Sequence, residues 1–238
     1  MGSRAPRWTE CTALLGGRFD PPHLGHEEAA AGLFKSPGVS RVWVIPSGNP
    51  PHKPVSASNE ARLEMVRAAF LKPGLPGPIE VHPLEIERTR QTGTPGYAWD
   101  TLQDLKKQGI QNLAFVIGAD QLRDLPKWHR FPEVLGLCHW IVLERKPEGS
   151  TLIQRALSEL QASGLARPAR DQGPQGLPCF ELTQSEGKAL IICPTPARAA
   201  SSTEIREKLA LGHPPETLPI STEVALCLKR NRLYGTKP

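Results

Sequence analysis

The chain has little of what would tie it to a membrane, a disulfide framework or a structural metal. Over 238 residues and 26.0 kDa, no apolar run approaches the roughly 20 residues needed to span a bilayer. An integral membrane protein is therefore not expected. The first stretch, 1–10 (MGSRAPRWTE), lacks the apolar core of a signal peptide and reads as an N-terminal tail. Cys11, Cys138, Cys179, Cys193 and Cys227 are odd in number and show no C-x-x-C spacing. Neither paired disulfides nor a zinc site is indicated, and a reducing cytoplasm fits. No carboxylate cluster of metal-ligand type is visible either. A long basic run is also missing: the net charge is +5 and the pI about 9.1, but the cations are scattered. That balance suits small anionic phosphates better than nucleic acid.

What is present reads as one α/β domain with insertions. Twenty-five prolines and 21 glycines imply many loops. Cys11–Leu15 is predicted as the first strand, His23–Lys35 as the first helix and Val39–Ile45 as a second, buried strand. A β-α-β unit of this length implies a right-handed crossover and a parallel sheet. The expected fold is a Rossmann-like, doubly wound, mostly parallel sheet with helices on both faces. Ligands of such sheets bind outside the carboxyl ends of the strands.

Further along, Glu60–Leu71 is predicted as a helix with Leu63, Val66 and Phe70 on its apolar face and Arg62 and Arg67 on its solvated side. Ile79–Leu84 reads as a strand, and Glu85–Arg90 as a charged stretch leading into a loop. The stretch Gly93–Leu102 then opens a helix that stops at Gly109. Leu113–Ile117, Trp140–Leu143 and Leu190–Cys193 are further strands. Residues 159–188 show no periodicity and read as a flexible insertion. A C-terminal helical part spans 201–238, with Ser221–Asn231 as an amphipathic packing helix.

The chemistry concentrates in Thr12–His26, TALLGGRFDPPHLGH. Gly16 and Gly17 permit a tight turn and close backbone approach to a ligand. His23 and His26, three apart, would share a face in the first turn of a helix. Free N–H groups and the positive end of the helix dipole lie at the same place, a site suited to polyphosphate. A second anion site is expected at Ser201-Ser202-Thr203-Glu204-Ile205-Arg206. Ser201 and Glu204 fit a capping box, and Arg206 could fork onto phosphate oxygens. Asn49 can cap its own loop turn, Asp120 can be the N-cap of the helix after Gly118, and Trp128 can be core.

These segments resemble the bacterial-type nicotinate-nucleotide adenylyltransferase family of the H-x-G-H nucleotidyltransferases. The first signature, GG-x-FDP-x-H-x-GH, is matched through His26, with Arg18 replacing the usual small hydroxyl residue. The S-x-T-x-x-R motif is matched by Ser201, Thr203 and Arg206. The loop Asn49-Pro50-Pro51-His52-Lys53 and the I-G-x-D segment ending at Asp120 also correspond. The usual Ser-Tyr-Thr reads Gly96-Tyr97-Ala98, and the Trp128 position is followed by His129 where relatives often have Tyr.

The resemblance covers nearly all of 1–238 as a single nucleotidyltransferase domain, apart from the tail and 159–188. It implies transfer of AMP from ATP to nicotinate mononucleotide, with Mg2+ carried mainly by ATP and no metal held by the protein's own ligands. His23, His26 and Arg206 would be catalytic. Gly16, Gly17, Arg18, Phe19, Gly118, Asp120, Ser201, Ser202 and Thr203 would join them in binding ATP. Asn49, Lys53, Tyr97, Ala98, Trp128 and His129 would take nicotinate mononucleotide. Oligomeric state is left open. The alternatives are a relative with phosphopantetheine or an alcohol phosphate as acceptor, or a non-catalytic nucleotide-binding regulator.

Overall fold

The structure, a computed structural model, describes residues 10–35, 38–49, 55–144, 148–195 and 200–237. They fall in two compact units, one drawn from 1–15, 32–42 and 97–196, the other from 16–31, 43–96 and 197–238. The strands β1 (Cys11–Gly17) and β2 (Val39–Pro46) begin in the first unit and end in the second.

In the first unit the sheet is apolar nearly throughout. Strands β4 (Leu113–Gly118), β5 (His139–Glu144) and β8 (Ala189–Pro194) read LAFVIG, HWIVLE and ALIICP. Such runs suit strands covered on both faces rather than on one. β1 pairs parallel with β4, β4 with β5 and β5 with β8, in registers such as Leu15↔Val116, Ile117↔Val142 and Leu143↔Cys193. Two short strands complete the edge antiparallel: β7 (Cys179–Leu182) on β8, and β6 (Ala166–Pro168) on β7. The order in this unit is β2-β1-β4-β5-β8-β7-β6. Helix α4 (Ala98–Lys107) buries Thr101, Leu102 and Leu105. Helix α6 (Glu148–Ala162) buries Ile153, Ala156, Leu157 and Leu160, the three-and-four spacing of one helical face. Each such leucine or isoleucine side chain contributes roughly 1.5–3 kcal/mol by burial. The short α5 (Ala119–Asp124) follows β4 directly.

In the second unit β3 (Ile79–Val81) lies beside β2, and the His82 N–H donates to the Val44 carbonyl at 2.9 Å. Its helices are α1 (Leu24–Leu33), α2 (Asn59–Phe70), α3 (Leu84–Thr92), α7 (Ser202–Ala210) and α8 (Thr222–Arg230). Ser58 caps α2, its hydroxyl accepting from the Ala61 N–H at 3.2 Å. The expected class is the observed one: an α/β, Rossmann-like fold on a mostly parallel sheet. No helix among the described residues is long and apolar enough to cross a membrane.

Three expectations need correction. Residues 159–188 are not without regular structure: they hold the last turn of α6, then β6 and β7. Strands of three and four residues are too short to leave a period-two signal. The charged stretch after Glu85 is helix α3 rather than a lead into a loop. Helix α1 begins at Leu24, so His23 precedes it rather than lying within it.

Candidate active site

The site residues of the second unit are set by the way β1 ends. A Cβ at Gly17 would fall 2.9 Å from the Phe19 ring, so glycine is what lets that ring fold beneath the loop. Phe19 takes a positive φ of 48°, a sparsely populated region for a bulky residue. Burial fixes it there: Phe19 is 1% exposed, edge-on to His26 at 4.9 Å and to Phe70 at 5.7 Å. Its ring is therefore a wall that sets the His26 imidazole, not a surface group.

The two imidazoles are together, but not as one helical face. Their rings stack with centroids 3.7 Å apart. The His23 backbone N–H donates to His26 Nδ1 at 3.2 Å. A main-chain N–H can only donate, so Nδ1 must accept, and the ring proton of neutral His26 lies on Nε2. The α1 start also differs from the open N-terminus expected. Besides the His23 N–H, the Leu24 N–H is engaged, donating to the Pro219 carbonyl at 2.9 Å. Two of the amides expected to be open at this helix end are therefore already engaged.

The second phosphate motif is fastened to the same loop. Arg206 Nη1 donates to the Asp20 carbonyl at 2.6 Å and lies 3.7 Å from Asp20 Oδ2. Ser202 Oγ donates to the Pro21 carbonyl at 2.9 Å. The expected capping box at Ser201 is not formed: Ser201 is the N-cap of α7 by position, with no side-chain cap hydrogen bond. Arg206 Nη2 also lies 3.4 Å from Thr203 Oγ1 on its own helix.

Arg62, read from the sequence as solvated, is fully buried at 0% exposure. Its guanidinium donates to the Arg18 carbonyl (2.7 Å), the Ser47 carbonyl (2.5 Å), the Gly48 carbonyl (2.9 Å) and Asn59 Oδ1 (2.6 Å). It thereby ties the loop after β1 to the loop after β2, whose next residue is the exposed Asn49. Burial pulls the Arg62 pKa below its usual value, against the opposing pull of Asp20. Asp20 is another buried hub: Oδ2 accepts from the Ser56 N–H at 2.7 Å, and Oδ1 accepts from the Ala57 N–H at 3.1 Å and the Tyr234 hydroxyl at 2.7 Å. Burial first, then the Asp20 hydrogen bond, push the Tyr234 hydroxyl well above the usual phenol range. It stays a donor. Gly96, where the family has Ser, also has a local reason: a Cβ there would come within 2.5 Å of Oε2 of the buried Glu85. Lys53 lies outside the described residues.

In the first unit the predicted pyridine-side residues meet in part. Tyr97 is the N-cap of α4 and Ala98 its first residue. The Tyr97 ring stacks on His129 with centroids 4.5 Å apart. Trp128 is half-buried, edge-on at 6.0 Å to both Phe115 and Trp140. Trp140 is buried beneath and donates from Nε1 to the Leu135 carbonyl at 3.2 Å. Trp128 is thus neither pure core nor a loose surface ring. Asp120 is not the N-cap of α5, as its spacing allowed; Gly118 is, and its N–H donates to Gln121 Oε1 at 3.0 Å. That leaves the exposed Asp120 in the first turn with its carboxylate at the carboxyl end of β4.

Asp20, Arg62 and Tyr234 are the residues that sequence reasoning missed. The signal for Arg62 was its spacing: with Met65, Val66, Ala69 and Phe70 it completes the buried stripe of α2. Asp20 stood inside the first motif, and Tyr234 gave no local signal.

The family model described as cytidylyltransferase-like matches residues 14–208. A protein of Serratia proteamaculans named "Probable nicotinate-nucleotide adenylyltransferase" is 34% identical over 215 residues, 87% of this chain and 88% of the relative. One of Idiomarina loihiensis with the same name is 32% identical over 224 residues, covering 93% and 98%. Among solved structures, Plasmodium falciparum nicotinic acid mononucleotide adenylyltransferase complexed with NaAD superposes with a TM-score of 0.68 at 15% identity, over 94% of this chain and 97% of that one. At that identity the superposition speaks for the fold alone. A family model spanning both phosphate motifs, with relatives of that identity and coverage, places the chain: it belongs to the cytidylyltransferase-like family and, within it, to the nicotinate-nucleotide adenylyltransferases.

Proposed function

We propose that the protein transfers AMP from ATP to nicotinate mononucleotide, forming deamido-NAD and pyrophosphate, and that it does so in the cytoplasm as a step of NAD synthesis. The chain works as one nucleotidyltransferase domain on small phosphates, without nucleic acid or membrane as partner. The observation that carries this reading is the fastening of Arg206 and Ser202 to the Asp20 and Pro21 carbonyls, immediately before His23. Two motifs nearly 200 residues apart in sequence are thereby joined in one compact unit.

The phosphate of nicotinate mononucleotide attacks the α-phosphorus of ATP in line. One oxygen–phosphorus bond forms, the bond from the α-phosphorus to the bridging oxygen breaks, and pyrophosphate leaves with that electron pair. A phosphate monoester is largely dianionic near neutral pH, so neither an enzyme nucleophile nor a general base is required. The protein's part is alignment and charge stabilisation. His26 presents Nε2–H to the α-phosphate and the bridging oxygen, with His23 beside it. Arg206 takes the β- and γ-phosphates together with Ser201, Ser202 and Thr203, and the Gly16–Phe19 turn supplies main-chain approach.

Gly118 and Asp120 serve the ATP ribose. Asn49, Lys53, Tyr97, Ala98, Trp128 and His129 serve nicotinate mononucleotide, with the pyridinium on the Trp128 indole. The divalent cation is Mg2+, which dehydrates reluctantly and travels on phosphates and water. It enters as part of MgATP.

The test is pyrophosphate release from ATP with nicotinate mononucleotide, nicotinamide mononucleotide or phosphopantetheine as acceptor. Release is expected with nicotinate mononucleotide and not with phosphopantetheine. His26→Ala should lower kcat by about 10²- to 10³-fold, as loss of a transition-state donor does. Turnover only with phosphopantetheine, or with none of the three, overturns the reading. Near-normal kcat in His26→Ala removes the assigned role.

A further inference from the structure

Asp20 poses a problem that adenylyl transfer alone does not answer. It is a carboxylate, 1% exposed, three residues before His23 in a loop assigned to a polyanion. A negative charge beside a triphosphate weakens its binding. Two cations answer the charge of Asp20: the buried Arg62, on which it acts electrostatically, and Arg206, which donates to it directly and whose direction it can set. One corner of the Arg206 guanidinium is committed to Asp20: Nη1 is 2.6 Å from the carbonyl oxygen and 3.7 Å from Oδ2. A guanidinium is a rigid planar fork of five N–H donors. Holding one corner on Asp20 and another near Thr203 Oγ1 (3.4 Å) fixes the plane and leaves the other donors to point elsewhere.

Asp20 is itself over-determined by three donors from two distant segments. The Ser56 and Ala57 amides hold it at 2.7 and 3.1 Å, and the Tyr234 hydroxyl, 214 residues along the chain, holds it at 2.7 Å. Tyr234 has a positive φ of 54°, as does Arg232 at 51°. Two non-glycine residues in the left-handed region cost energy that some contact must offset. The hydrogen bond to Asp20 is the polar contact that this last turn of chain makes through Tyr234.

Resting on the adenylyl-transfer reading above, we propose that Asp20 is a positioning residue that aims Arg206 at the triphosphate, and that Tyr234 is the latch that holds Asp20. The C-terminal turn is then part of the phosphate-binding machinery, not packing alone. Neither Asp20 nor Tyr234 touches substrate; both act through Arg206.

The test is steady-state kinetics of Tyr234→Phe and Asp20→Asn in the full chain, with thermal unfolding alongside. Tyr234→Phe removes one hydroxyl and keeps the ring. It should raise KM for MgATP five- to twentyfold and so lower kcat/KM for MgATP, with KM for nicotinate mononucleotide within twofold of wild type. Asp20→Asn keeps the size but loses acceptors and charge, and should act in the same direction and more strongly. A merely structural role would lower the active fraction, reducing kcat and leaving both KM values unchanged. That outcome in a folded Tyr234→Phe variant overturns the proposal. Should Asp20→Asn not fold, Tyr234→Phe decides alone. If wild-type protein does not turn over, the failure belongs to the adenylyl-transfer reading; if it does and Tyr234→Phe matches it for MgATP, the failure belongs to the latch.

Discussion

The two compact units differ in what they bury. In the unit of β4, β5 and β8 the buried polar side chains among the described residues are Thr12, Thr101 and His139. In the other they are Asp20, His23, Glu27, Arg62, Glu85 and Ser221, and four of those six are carboxylates or a guanidinium. A buried charge must be paired and hydrogen-bonded, or it destabilises strongly. The second unit accepts that condition because its loops have no strand ladder to hold them. Arg62 saturates three loop carbonyls, and Asp20 accepts from two loop amides. Ionic side chains do there what main-chain pairing does in the sheet. The residues expected to bind phosphate, His23, His26 and Arg206, lie in the ionic unit. The aromatic rings of Tyr97 and Trp128, expected to take the pyridine, lie in the apolar unit, Trp128 against the buried Trp140.

The largest effect that tests this contrast is expected at Arg62. Arg62→Met keeps much of the length and leaves the Arg18, Ser47 and Gly48 carbonyls without their donor. A loss of about 3–5 kcal/mol is expected from breaking such a buried arrangement, read by denaturant unfolding. Arg62→Lys should recover little, since one ammonium cannot reproduce the planar fork. A cost below 1 kcal/mol for Arg62→Met would mean that the loops are held by something else.

The first unit offers the opposite test, at His139 in β5. Its Nδ1 accepts from the Ala189 N–H at 3.3 Å. Burial, then the charge of Lys188, lower its pKa to about 4 from an ordinary 6.5. Between those values the unfolded chain binds a proton that the folded chain refuses. Its contribution is therefore intact above about pH 6.5 and is lost progressively as pH falls toward 4. The loss reaches roughly 3 kcal/mol at most. His139→Gln should flatten that part of the pH–stability curve. An unchanged slope would move the acid sensitivity to the ionic unit and blur the contrast.

The same difference decides what could be read in the sequence. The parallel strands β4, β5 and β8 of the first unit were legible because a strand covered on both faces must be apolar along its whole length, as in LAFVIG and ALIICP. The two phosphate motifs were legible as fixed spacings of imidazole, hydroxyl and guanidinium. Arg62 was not, because an arginine in a helix is ordinarily solvated. Only its place in the 62, 65, 66, 69, 70 stripe pointed inward. The capping box at Ser201 is not formed, while the neighbouring hydroxyl, Ser202, donates to a carbonyl 181 residues away. Likewise Asp120 has a good N-cap identity, but Gly118 takes the position and Gln121 completes it. In the tail of the chain, no local pattern could announce that Tyr234 reaches Asp20.

The smallest effect, and the sharpest for the apolar unit, is expected at Trp128. Its ring meets Phe115 and Trp140 by its edge, at 6.0 Å and angles of 81° and 60°. Edge contacts leave a face to offer, and a pyridinium on that face gains both stacking and attraction to the ring quadrupole. Trp128→Ala should raise KM for nicotinate mononucleotide about tenfold, the ~1.4 kcal/mol equivalent of one such contact. KM for MgATP should move less than twofold. Trp128→Phe keeps a ring with a weaker quadrupole and should fall between. If Trp128→Ala instead lowers the melting temperature and leaves both KM values alone, the ring belongs with Phe115 and Trp140 as core. The pyridine would then be held by Tyr97 and His129, whose own rings already stack at 4.5 Å.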